Sequence, residues 1–140
     1  MRFALAGLMV LASAPAFASA NVSCQIDDRV LAFELEAIAG RTSPINQVQS
    51  GSIAIKPNLK LARPKVEVKL ENLVQQWMLG GDLRLQIEVY DEDARENINL
   101  VVDSKLDRKK EKYFGGYVLT VTRAGEATVF KGRIKSCEAG

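Results

Sequence analysis

Histidine is absent from this chain of 140 residues, tryptophan occurs once, cysteine twice, and aromatics make up only 6% of the total. Without imidazole, Ser-His-Asp and Cys-His nucleophilic chemistry have no base in their ordinary forms. The commonest zinc and copper ligand is missing as well. The two cysteines, Cys24 and Cys137, stand near opposite ends of the chain and form no C-x-x-C redox motif. Gly80-Gly81 and Gly115-Gly116 lack both the spacing of a nucleotide loop and a following helix. An enzyme is therefore not expected, and neither a cofactor nor a metal centre. Charge is nearly balanced: 19 basic and 17 acidic side chains give a net charge of +2, which falls by one when Arg2 is removed with the leader described next. A dedicated nucleic-acid binder needs a strongly basic face, so nucleic acid is not an expected partner.

Long apolar runs are missing too, except at the start. MRFALAGLMVLASAPAFASA has a positive Arg2, an apolar stretch from Phe3 to Leu11, a break at Pro15 and Ala18-Ser19-Ala20 as an A-x-A site. That is the pattern of a cleaved signal peptide. The apolar part is too short to cross about 30 Å of hydrocarbon as a helix. The expected organisation is residues 1–20 as signal peptide and 21–140 as a single exported β domain, with no membrane span in the mature chain. Its expected location is the periplasm if the source is bacterial, and otherwise outside the cell. An oxidising compartment turns the lone pair of cysteines into a disulfide, Cys24 to Cys137, fastening the first strand to the last.

What the chain has in abundance is period-two alternation. Val66, Val68 and Leu70 alternate with charged residues; Leu83, Leu85, Ile87 and Val89 do the same, as do Leu31, Phe33, Leu35 and Ala37. Ile98, Leu100 and Val102 form another set, as do Tyr113, Tyr117, Leu119 and Val121, and more weakly Phe130 with Ile134. Each is a half-buried strand with one wet face. Turn signals at Asp27-Asp28, Pro44, Pro57-Asn58, Pro64, Gly80-Gly81 and Ala124-Gly125 separate them. The fold class is all-β: a small antiparallel β-barrel or β-sandwich with its terminal strands joined by a disulfide. Residues 71–79 read two ways. Leu73, Val74, Trp77 and Met78 have helical spacing, whereas a strand bulged near Glu71-Asn72 puts Leu70, Leu73, Trp77 and Leu79 on one face. The following Gly80-Gly81-Asp82 favours the strand, in a hairpin.

Two carboxylate groupings merit attention. Glu34 and Glu36 share a strand face, as a glycosidase pair would, but alternation makes that the solvated face. Asp91-Glu92-Asp93 with Glu96 offers oxygen ligands for calcium, yet it lacks the glycine and spacing of an EF-hand loop. The more uneven feature is KLDRKKEK at 105–112, which a meander places at the opposite end from DEDARE at 91–96. Arg108, Lys109, Lys110 and Lys112, with Trp77 near the adjoining turn, form the candidate binding surface. The expected function is that of a binding or inhibitory module for an envelope protein or an anionic polymer. The competing expectation is a calycin-like carrier of a small apolar ligand, which needs an empty interior where this chain has bulky aliphatics.

Overall fold

The computed structural model describes residues 19–40 and 45–140; the leader assigned to residues 1–20 therefore falls outside it for all but its last two residues. Ten strands follow in chain order: β1 Ala20–Asp27, β2 Leu31–Ala39, β3 Ile45–Ile55, β4 Lys65–Glu67, β5 Leu73–Leu79, β6 Asp82–Asp91, β7 Glu96–Asp107, β8 Lys112–Arg123, β9 Glu126–Arg133 and β10 Ser136–Ala139. They form one antiparallel sheet in the order β4-β3-β2-β1-β10-β8-β7-β6-β5, with β9 also on β8. The terminal strands thus meet in the middle of the sheet, not at its margins. Cys24 lies directly opposite Cys137, and the two are bonded. Among the described residues no helix is long and apolar enough to cross a membrane.

Extra residues curl this sheet into a half-barrel. Between β2 and β3 the register slips at Gln49 and again at Asn46, and each such bulge bends and twists its strand. The bend carries the start of β3 towards β5 at the far end of the strand order. There the Gln76 amide substitutes for a ladder: Ile45 N–H donates to Oε1 at 2.6 Å, and Nε2 donates to the Ile45 carbonyl at 3.1 Å. Just past the β3–β4 ladder, Val68 N–H donates to the Gly51 carbonyl at 2.9 Å.

The inner face collects the apolar side of every alternating run. Leu31, Phe33, Leu35, Ile53, Leu83, Ile87, Leu100, Val102 and Leu119 retain no accessible surface, and Leu85 and Val121 almost none. A side chain lining a ligand cavity would keep some. This interior is filled; Val89 sits at its margin, partly buried.

Three local expectations change. The run from Val66 is a strand only over Lys65–Glu67; Val66 and Val68 are buried as expected, but Leu70 is exposed. Asn72 stops it, because its Oδ1 accepts the Lys69 N–H at 2.8 Å and closes a 3-10 turn over Leu70–Asn72. Residues 73–79 are a strand, but its slip lies between Leu73 and Gln75, not at 71–72. Leu73 therefore faces inward opposite Ile87, while Trp77 and Leu79 face outward opposite Arg84 and Asp82. The last run divides into β9 and β10, because Ile134 and Lys135 turn their N–H groups to the carbonyls of Gly115 and Gln25.

Candidate functional site

The β7–β8 turn lies at the opposite end of the sheet from the acidic β6–β7 turn, as the charge pattern predicts. Its backbone is held by Asp107, whose Oδ1 accepts the N–H groups of Lys109 at 3.0 Å and Lys110 at 3.3 Å. That leaves the Arg108, Lys109 and Lys110 side chains exposed. Lys112 is less free, since Nζ lies 2.9 Å from Glu138 Oε1 on β10. Lys110 Nζ sits 5.1 Å from the centroid of the Phe114 ring, within reach of the ring quadrupole.

Phe114 projects from the outer face of β8, directly opposite Lys105 on β7. After it come Gly115 and Gly116, where backbones approach closely, most of all at Gly115. A Cβ on Gly115 would lie 2.0 Å from the Asp103 carbonyl oxygen, and one on Gly116 would lie 3.0 Å from that of Gly132. Gly116 faces Arg133 across the β8–β9 ladder. The result is a depression of about 530 Å³ with glycine backbone for a floor and Phe114, Arg133 and Ile134 around it. Neither Phe114, Lys105 nor Arg133 was singled out by sequence reasoning. Their signal was two glycines in the middle of an otherwise alternating strand.

Trp77 is not part of this cluster. It is 54% exposed on the outer face, in one row with Arg84 and Asp103, which pair at 3.1 Å. Arg108 lies five residue steps along the chain from Asp103 in that row, about 17 Å at 3.4 Å per residue. Trp77 instead borders a separate groove of about 580 Å³ with Val74, Gln75, Gln86 and Val101. The turn between β5 and β6 does adjoin the basic end, where Leu106 N–H donates to the Gly81 carbonyl at 2.8 Å.

Two of the four carboxylates of the calcium reading, Asp91 and Glu96, are engaged elsewhere. Asp91 accepts the Ala94 N–H at 3.0 Å and the Arg63 guanidinium at 2.8 and 2.9 Å, and these bonds hold its carboxyl below the usual range. Glu96 points inward, is buried, and accepts the Ala62 N–H on both oxygens at 3.1 Å, with Arg123 at 3.4 Å. Glu34 and Glu36 lie on the exposed face of β2, where Glu36 accepts a hydrogen bond from Ser23 Oγ at 2.6 Å.

A further polar contact escaped the sequence reading. Tyr117 O–H donates to Asp28 Oδ2 at 2.5 Å, tying the β1–β2 turn to β8. Asp28 Oδ1 also accepts the N–H groups of Val30 and Leu31 at 2.7 and 2.9 Å. Its geometry is that of a structural tie across the molecule. No family model, curated protein or solved structure matches this chain.

Proposed function

We propose that the protein is an exported binding module whose basic end engages an anionic partner of the cell envelope. The observation that carries this reading is a local concentration of cations without ion pairs at the β7–β8 end. Among the described residues, ion pairs form at Lys56, Arg63, Arg84, Lys112 and Arg123. Lys105, Arg108, Lys109 and Lys110 form none and lie together on the β7–β8 turn and the strand end leading into it, with Arg133 across β8 opposite Gly116. The other cations without an ion pair, Arg29, Lys60, Lys65, Lys69, Arg95, Lys131 and Lys135, are spread over the rest of the described residues. Like charges held together repel one another, and an oppositely charged partner relieves that repulsion. The leader-like first twenty residues and the disulfide support export. The filled interior argues against the carrier alternative, leaving the surface as the place where binding is done.

Reversing Arg108, Lys109 and Lys110 to glutamate tests the reading. These side chains are exposed, and only Lys110 packs on a neighbour, the Phe114 ring, so stability should stay within about 1 kcal/mol of wild type. Capture of envelope partners should slow, and the difference should shrink at high salt as the charges are screened. Reversing Glu92 and Asp93, at the other end, should do much less. Unchanged capture after both reversals would place the binding surface elsewhere.

A further inference from the structure

We infer that the depression between Phe114 and Arg133 is an oxyanion subsite for one unit of a flexible anionic polymer. This rests on the basic-end reading and specifies its ligand. The first ground is charge. Phe114 has Lys105 directly opposite on β7, Lys110 over its ring, and Arg133 on the β9 side of the adjoining glycine floor. Arg133 lines the depression itself, while Lys105 and Lys110 flank Phe114 at its rim, directly opposite Cβ atoms being about 5 Å apart in a sheet. Lys105 also lies across from Asp82 in the β6–β7 ladder, yet the two form no ion pair. The other flank of the turn differs. There a groove of about 430 Å³ sets Glu111 and Glu138 beside Arg108. Of the two flanks of this turn, the Phe114 side has the larger cationic excess, with Asp82 as the acidic side chain opposite Lys105.

The second ground is shape. At about 530 Å³ the depression falls within the range of about 300–1,000 Å³ typical of small-molecule sites, far more than one aspartate or glutamate side chain fills. Its floor is main chain, because neither Gly115 nor Gly116 carries a side chain. A folded acidic protein presents a broad convex surface that bridges such a hollow. A chain of linked anionic units can lay one unit in it and continue to Arg108 and Lys109 on the turn. Arg133 supplies planar paired donors suited to phosphate or carboxylate oxygens, and Phe114 supplies an apolar wall for the carbon frame of the unit.

The test is titration calorimetry of the mature, oxidised protein with two probes, a short linear polyphosphate and an oligogalacturonate, at several salt concentrations. Whichever binds more tightly identifies phosphate or carboxylate as the recognised oxyanion. Arg133→Gln should weaken binding by about 3–10-fold, comparable to one charge-assisted contact, and should lower the salt slope by about 0.7, one released counterion's worth. Phe114→Leu keeps an apolar wall but removes the ring face, and should weaken binding by about 2–5-fold. Unfolding midpoints of both variants show that the scaffold is intact. If both bind like wild type while Arg108→Gln/Lys109→Gln binds weakly, the subsite is wrong and the basic-end reading stands. If wild type binds neither polymer but is captured by an acidic protein through the same turn, the polymer assignment is overturned. If the turn variant also behaves as wild type, the basic-end reading fails as well.

Discussion

Single side chains do long-range structural work in this molecule, and Tyr117 is the clearest case. Its ring is buried under β9 and its hydroxyl reaches Asp28, 89 residues away in sequence. Burial pushes the phenol's pKa up, and the hydrogen bond to Asp28 and that residue's charge push it further. For Asp28, partial burial works to raise the carboxyl, but the bonds from Tyr117, Leu31 and Val30 outweigh it and hold the group below its ordinary range. The two ends of one hydrogen bond therefore set two pH windows. A lowered carboxyl contributes stability that is full above its unfolded value of about 3.9 and lost as pH falls through the folded one. A raised phenol contributes stability that is full below about pH 10 and lost as pH rises towards its folded value. Tyr117→Phe should thus cost about 1–3 kcal/mol near neutrality, the range for a bond to a charged group. In urea titrations the gap from wild type should narrow below about pH 4 and above about pH 10. A gap of constant size across that whole range would show that only ring packing matters.

At the scale of elements, glycines decide where strands approach closely. Gly132 lies opposite Tyr117, and a Cβ there would sit 2.5 Å from a ring carbon. Gly132→Ala must displace the ring and with it the bond to Asp28, so it should destabilise by about 1–3 kcal/mol, as overpacking does. Gly125 makes a useful contrast: its φ of +78° favours glycine, but a Cβ there meets nothing, so Gly125→Ala should cost only about 1 kcal/mol. Denaturant midpoints of the two variants compare them directly, and equal losses would contradict the packing account. The same features explain what was legible in the sequence. Where alternation is unbroken, as in β2, β6 and β7, the inward residues follow directly from the pattern. A bulge adds one residue and exchanges the two faces beyond it, so the slip at Val74 parts Leu73 from Trp77 and Leu79, which the sequence pattern groups on one face. The basic turn was legible because charge runs need no register. The depression beside it was not, because it depends on which residue of β9 lies across from Gly116.

For the whole molecule, the strand order places the weakest join at the centre. Strands β1–β4 form one meander and β5–β9 another, with β10 linking them through four residue pairs to β1 and a single pair to β8. By contrast the β7–β8 ladder runs over twelve pairs. The disulfide crosses this short join with both cysteines buried in the common core, so one covalent bond holds two half-sheets in register. It closes a loop with a sequence separation of 113, for which the chain-entropy account gives about 4–5 kcal/mol. Replacing both cysteines would also remove core atoms, whereas reduction of the wild-type protein removes the bond and keeps the volume. Reduced protein should therefore lose about 4–5 kcal/mol of unfolding free energy. Its m-value should rise as well, because an unfolded chain without the crosslink exposes more surface. Hydrogen exchange should locate the effect: amides in the β1–β10 ladder, such as Ser23 and Glu138, should lose protection first, while those of β6, β7 and β8 hold until global unfolding. If the reduced protein unfolds at the same denaturant concentration as the oxidised one, the two meanders hold together through the Gln76 seam and the core alone.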